Sequence, residues 1–552
     1  MKFIAAIMCD LTSSPIGTRS READELCGVP VLRRTAERVL EVQGLHGVHL
    51  LCPGNQQARC ARMLDGLRVT VHPVDAGPPP WGALIRAARK WSLDGWRGGL
   101  GGAMHFDEFC DCRVLAALLE SEPADGVLCA PGSAALLDPR LAEHMLRHRI
   151  AQGDDVRLVF AQTPPGLAGL LLDRPLIQEL AEKNVPVGVA FSYKPDAPQK
   201  DHLFHPCCLE VPAAVRFSSG RMVADTERSF RRMEAVLRGG GPLHAAAIGQ
   251  WLLDYEVTEV DPAPREVEIE LTTEDPYPDA LLRPRGPEVG QRGPIEDPIV
   301  RRIVEGISRY DDSLVMLGGF GDPLRHPQLA TILQTLRPAG SNDQGVHGLA
   351  LRTAGIDVTP EVCELLVRHR VDVVMVPLDA WTAPLYAALQ SPTDPVRADL
   401  EAVTSRMTRL SEVRHAAGSA VPILVPELCK SRDNVAELDD FHDGWIRRLG
   451  TVCITGYSHQ AKQREDRGVI RMAPATRIPC RRIRSRCLVF ADGRVTLCDQ
   501  DHRGSHAVGN LHEQSLAEIW HGSAMQELRQ LHRGDRFDAH PLCAACDEWH
   551  RP

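Results

Sequence analysis

The chain has 552 residues, 43% apolar and 25% charged, the balance of a soluble globular protein of roughly two to four domains. A formal net charge of −10 excludes nonspecific nucleic-acid binding, which draws on surplus Lys and Arg. No apolar run approaches the roughly 18–20 residues needed to span a bilayer, and the opening segment stops at Asp10 without a small-residue cleavage site. The expectation is a cytoplasmic protein with neither nucleic acid nor membrane as partner. One basic stretch, 477–503, holds Arg481, Arg482, Arg484, Arg486 and Arg494; it reads as a solvated face, with an anion-binding patch as the alternative.

From the N-terminus, residues 3–8 read as a buried strand and 31–42 carry helical periodicity. Runs 48–52, 126–129 and 156–160 read as further strands, with a helix over 140–149. Strands alternating with helices predict an α/β domain over 1–238 with a mostly parallel sheet. Gly239, Gly240, Gly241 and Pro242 break it, and 239–264 reads as a linker: a helix over 244–255, then a Pro/acid stretch. A second alternating region, 265–470, has strands at 267–271, 314–317, 347–351, 371–376 and 421–425. It predicts a partial or full β/α barrel, TIM-like in pattern, with a long irregular loop over 276–298 of the kind that carries function. The last segment, 471–552, is rich in Arg, His and Cys and too small for a large core, so it calls for a metal staple.

The chain has 17 cysteines. Cys52, Cys60, Cys129, Cys363, Cys429 and Cys453 lie in apolar runs and read as small buried hydrophobes; a disulfide framework belongs to small secreted domains and is not expected. Near the C-terminus the spacing is organised. Cys543 and Cys546 form a CxxC pair, placing two thiolates on one side of a tight loop, and upstream stand Cys480, Cys487, Gly493 and Cys498. Thiolates from two loops complete a four-sulfur site for an iron–sulfur cluster or zinc. His502, His506, His540 and His550 read as surface residues.

The run from Cys480 through CLVFADGRVTLCDQD, VGNLHEQSLAEIWHG and PLCAACDEW resembles a SPASM domain, the auxiliary-cluster appendage of radical S-adenosylmethionine enzymes. Its hallmark is a Cys, a variable loop, a Gly, four residues and a second Cys; Gly493 and Cys498 fit the second half. The resemblance selects Cys480 over Cys487, which stands too close to Gly493. It implies one 4Fe-4S cluster on Cys480, Cys498, Cys543 and Cys546, with zinc as the competitor and too few cysteines for a second cluster.

Upstream, VEIELTTEDPYPDALL resembles the strand and loop that open a radical S-adenosylmethionine barrel, where the family carries CxxxCxxC. Here those positions fall at Asp275, Asp279 and Leu282, and no cysteine occurs between Cys208 and Cys363. The sequence Gly318, Gly319, Phe320, Gly321, Asp322, Pro323 is similar to the family's Gly-Gly-Glu-Pro motif, whose carboxylate meets the methionine amino group. By that resemblance Gly319, Gly321 and Asp322 are candidate cofactor contacts, although a plain strand-to-helix turn explains the same residues. Runs 371–379 and 421–438, with Pro377 where a Ser is common, also fit. Architecture is kept while the cluster needed for radical generation is missing.

In the first domain, Phe3–Met8, the Ser/Gly/Arg loop 13–21, and Gly28, Pro30 and Leu32 are similar to the opening of GT-A-like, Rossmann-like nucleotidyltransferases of the cytidylyltransferase type. Residues 132–139 and the pair Asp225 and Thr226 resemble later motifs of that family. Its chemistry needs carboxylates for Mg²⁺ and a basic residue for phosphate. Ser133 stands where the first metal-binding Asp belongs, and the acidic run 105–112, HFDEFCDC, is either a substitute or an acidic helix start. Three readings follow. One is an iron–sulfur SPASM protein without radical chemistry, a binding or accessory module for a small molecule or sugar nucleotide in glycan metabolism. The others are a nucleotidyltransferase and a redox enzyme using the C-terminal cluster.

Overall fold

The computed structural model describes residues 1–339, 345–496 and 498–551, and the chain divides into two units, Met1–Glu256 and Val257–Pro552. In the first, β1 (Phe3–Met8) is buried from Phe3 to Ile7, as a strand covered on both faces requires. It lies parallel to β2 (Leu45–Pro53), which pairs with β3 (Thr70–Val74), and to β4 (Gly126–Pro131). β5 (Leu158–Ala161), β6 (Leu170–Asp173) and β7 (Cys208–Leu209) complete the order β3-β2-β1-β4-β6-β5-β7, with β6 antiparallel to its neighbours. β3 and β6 are absent from the sequence reading: β3 is a short, part-exposed run with an internal proline, and β6 is only four residues long.

The helix expected as a linker belongs to the first unit. Asp138 accepts the Ala245 amide at 2.7 Å, and Ile248 and Leu252 of helix Ala245–Thr258 sit in that unit's core.

The second unit carries six parallel strands in chain order, β8 (Glu266–Glu270), β9 (Leu314–Gly318), β10 (Gly348–Arg352), β11 (Val373–Pro377), β12 (Ile423–Lys430) and β13 (Cys453–Gly456). Helices such as Asp297–Ile307 and Pro360–Arg368 run between them. Among the described residues the barrel does not close. On the free side of β8, β14 (Arg486–Val489) adds in parallel, followed by antiparallel β15 (Arg494–Thr496) and β16 (Ala507–Asn510). Barrel and cysteine segment, separated at 470/471 in the sequence reading, therefore share one sheet. β13 was not anticipated, because CITG is a short, half-buried edge strand.

Glu270, fully buried at the end of β8, ties these parts together. It accepts Arg292 Nε at 2.6 Å and Nη2 at 2.9 Å, the Phe320 amide at 3.3 Å and the Ala491 amide at 3.2 Å. Arg292 donates on to the Val289 carbonyl at 2.7 Å and lies over the Phe490 ring. One carboxylate thus joins the first strand, the irregular loop, the glycine-rich turn and the C-terminal segment. Glu270→Gln leaves a buried guanidinium without its counter-charge and is expected to cost about 3–5 kcal/mol, read as a lower urea midpoint of the second unit. Arg301→Gln, which removes an exposed pair with Asp297, should stay within about 0.5 kcal/mol of wild type.

Candidate functional site

Four thiols gather where the C-terminal segment folds back on itself. Cys480 precedes the turn of helix Arg482–Ser485, Cys498 follows β15, Cys543 lies in helix Pro541–Ala545, and Cys546 ends that helix. The expected tight CxxC loop is thus a short helix with its last cysteine at the C-cap. The hairpin delivering Cys498 turns at Gly493, whose φ of +80° is a conformation that side chains rarely adopt. A Cβ there would also meet the His512 ring at 2.8 Å. Burial, then the neighbouring thiols Cys480 and Cys546, push Cys543 up to about 12; burial and Cys480 raise Cys546 to about 11. Burial also raises Cys498, with Cys480 and Cys546 adding to it. Cys498, Cys543 and Cys546 each lie within electrostatic reach of Cys480, and as free thiols they stay protonated at neutral pH, so loading a metal centre releases protons.

Cys487 has a different setting. It sits in β14 opposite Val267 and is 5% exposed in the hydrophobic core; burial pushes its thiol up to about 12.

His532, on helix Ser523–Arg533, went unnoticed in the sequence. Its Nδ1 accepts the Cys480 amide at 3.1 Å, and its Nε2 lies 3.5 Å from Cys543 Sγ. That fixes the proton on Nε2, aimed at the sulfur. Two expectations for this region need correction. His502 is fully buried, 3.5 Å from Glu288 and edge-on to Phe320, because β15 and the loop after it fold onto the barrel. The basic stretch is not a solvated face: Arg482 pairs with Asp499 at 2.5 Å, Arg486 with Glu266 at 2.9 Å, and Arg477 donates to the Cys543 carbonyl at 2.8 Å.

The C-terminal ends of the barrel strands, where β/α barrels place their sites, are filled by ion pairs. Asp275 binds Arg285 at 2.8 Å. Asp279 accepts the Thr393 amide at 2.9 Å and the Thr393 hydroxyl, and Leu282 is buried among apolar side chains. Arg283 pairs with Asp379, and Arg352 reaches Glu427 at 3.2 Å. Asp275, Arg283, Arg285, Asp322 and Arg352 line a pocket of about 330 Å³, counting its open side.

Gly319, with φ +73°, passes so close to β8 that a Cβ would lie 2.6 Å from the Glu270 side chain. At Gly321 a Cβ would lie 2.2 Å from the Thr272 carbonyl oxygen. Both glycines let the turn press onto the first strand. Asp322 accepts the Leu324 amide at 3.0 Å, the Thr353 hydroxyl at 2.8 Å and the Ala354 amide at 2.9 Å. Burial, then the nearby Asp275 charge, raise its carboxyl to about 7.

In the first unit, Asp225 accepts Arg221 Nε at 2.8 and 3.0 Å. Arg221 also binds Glu108 at 2.7 Å, and Glu108 takes Arg89 at 2.7 Å and His105 at 2.8 Å. The acidic run and the Asp225 motif therefore meet, but through a buried guanidinium. Ser133 is buried with its hydroxyl unpartnered, and Asp107 and Asp111 serve helix termini.

Residues 480–547 match the SPASM family, an iron–sulfur cluster-binding domain; the chain carries that domain at its C-terminal end. An uncharacterized protein of Treponema pallidum (strain Nichols) is 28% identical over 266 residues, 46% of this chain and 68% of that one. Among solved structures, BtrN in complex with AdoMet and 2-DOIA shares 15% identity over 51% of this chain and 92% of its own, with a TM-score of 0.32. A cytidylyltransferase from Leptospira borgpetersenii serovar Hardjo-bovis (strain JB197) shares 12% identity over 46% of this chain and 94% of its own, also at a TM-score of 0.32. No helix among the described residues is long and apolar enough to cross a membrane.

Asp322 gives a pH signature. Its carboxyl binds a proton more tightly folded, at about 7, than at its ordinary value of 3.8. The resulting stabilisation is complete below that ordinary value and is lost as pH rises through about 7. Asp322→Asn should flatten the fall in unfolding free energy across this window, measured by urea titration at a series of pH values.

Proposed function

We propose that this chain is an iron–sulfur protein built on a radical S-adenosylmethionine architecture that does not generate radicals. One 4Fe-4S cluster sits on Cys480, Cys498, Cys543 and Cys546, and the barrel serves as a binding or accessory module for a small molecule or sugar nucleotide. The observation that carries this reading is the fate of the three barrel positions: an aspartate held by Arg285, an aspartate held by Thr393, and a buried leucine. None offers a thiolate, and the ion pairs occupy the mouth. Asp322, with its oxygens spent on two amides and a hydroxyl, is a turn clamp here rather than a partner for an ammonium group.

The match of residues 480–547 to an iron–sulfur cluster-binding domain supports a cluster over zinc; each iron of the cluster takes one thiolate. The cluster supplies one-electron chemistry or a structural staple; His532 and Glu548, whose amide donates to Cys546 Sγ at 3.2 Å, orient its ligands. Nucleotidyl transfer is disfavoured because Arg221 neutralises the Asp225 carboxylate that would hold the metal.

Anaerobic reconstitution should give brown protein with about four iron and four sulfide per chain, lost in Cys546→Ser and kept in Cys487→Ser. Colourless wild type with about one zinc per chain would overturn the cluster. Reduced protein supplied with S-adenosylmethionine should release no 5′-deoxyadenosine; its release would overturn the non-radical barrel.

A further inference from the structure

The first unit has a ligand constellation unrelated to its nucleotidyltransferase-like motifs. His49 lies on β2 and His72 on the neighbouring edge strand β3, where Leu51 pairs with His72 and His49 with Thr70. Paired residues of parallel strands face the same side and alternate residues share a face, so both imidazoles rise from one side of the sheet. Glu122 reaches that side from the end of helix Cys112–Ser121. One donor atom from each of the three residues falls within 4.8 Å of the others.

His49 Nδ1 and His72 Nε2 stand 2.9 Å apart, with the rings tilted at 43°. Two nitrogens bound to one ion at about 2.0–2.1 Å stand roughly 2.9–3.4 Å apart. The nitrogen separation thus suits a shared ion, which takes the place of the proton between the rings once they turn to face it. Among the described residues the Glu122 carboxylate has no hydrogen-bond or ion-pair partner, although its charge acts on His49. Burial lowers the His49 pKa, keeping the ring in the neutral form that ligates. Gly47 leaves room for it, since a Cβ there would lie 2.8 Å from His49 Nε2.

We propose that His49, His72 and Glu122 form a site for a divalent cation of the zinc class, with water in the remaining position, pinning edge strand β3 to β2. Two imidazoles and one carboxylate suit Zn²⁺ and its Co²⁺ substitute rather than Mg²⁺ or Ca²⁺, which take oxygen ligands. β3 is an edge of its sheet, where a metal clip adds what missing neighbours do not.

The test is Zn²⁺ titration by calorimetry on the full chain with its iron centre loaded, repeated with Co²⁺ for its visible ligand-field bands. Wild type should bind about one ion per chain beyond the iron and unfold at a higher temperature when loaded. His72→Ala and Glu122→Gln, both part-exposed positions, should weaken binding at least about tenfold and lose the thermal shift. Gly47→Ala should weaken it by displacing the His49 ring. The Cys543→Ser/Cys546→Ser double variant should retain this ion, which separates failure here from failure of the C-terminal cluster. Equal binding by wild type and His72→Ala, or none by wild type, would sink the proposal.

Discussion

The second unit hangs on one buried carboxylate. From β8, Glu270 faces three partners from three other stretches of chain: a guanidinium in the irregular loop and the amides of Phe320 and Ala491. A charge removed from water needs such company, since burial without a counter-ion costs several kcal/mol. The glycine-rich turn approaches closely because Gly319 has no side chain, and that approach brings the Phe320 amide to the carboxylate. The geometry of the turn and of the segment carrying the thiols is therefore set by the same group.

A division of labour follows between the two ends of the sheet. At the strand ends of the barrel, arginines and carboxylates neutralise one another, leaving little of the open electrophilic space that a cofactor-binding site needs. In the C-terminal segment the balance reverses. Half-buried thiols with raised pKa values stand beside His532 and Arg482. Chemistry in this unit is concentrated in the segment with the least core of its own.

Much of the architecture was legible because parallel strands buried on both faces are near-continuous Val, Ile and Leu runs. Strands expected at 314–317 and 347–351 appear at Leu314–Gly318 and Gly348–Arg352. Short or mixed strands such as Thr70–Val74 and Cys453–Gly456 lack that signal. The organised cysteines were visible from spacing alone, whereas His532 was not, because a histidine eleven residues before Cys543 has no local pattern to announce it. The packing of the helix after the glycine run was hidden for a related reason. Helix Ala245–Thr258 follows a glycine run, yet Asp138, more than a hundred residues upstream, caps and anchors it. The clamp of Arg221 on Asp225 and Glu108 was equally hidden, since charge in a sequence does not say which partners will neutralise it.

The parallel pairing of β14 with β8 joins Glu266 to Arg486 across more than two hundred residues. During synthesis the free side of β8 is an unpaired strand edge until nearly all of the chain has been made, and contacts of such long range form slowly. Such edges invite pairing between molecules. The pairing that covers β8 is then a late event in the life of a nascent chain. A chain whose synthesis stalls before Arg486 is left exposed to aggregation at the first strand of its second unit, not at its newest strand.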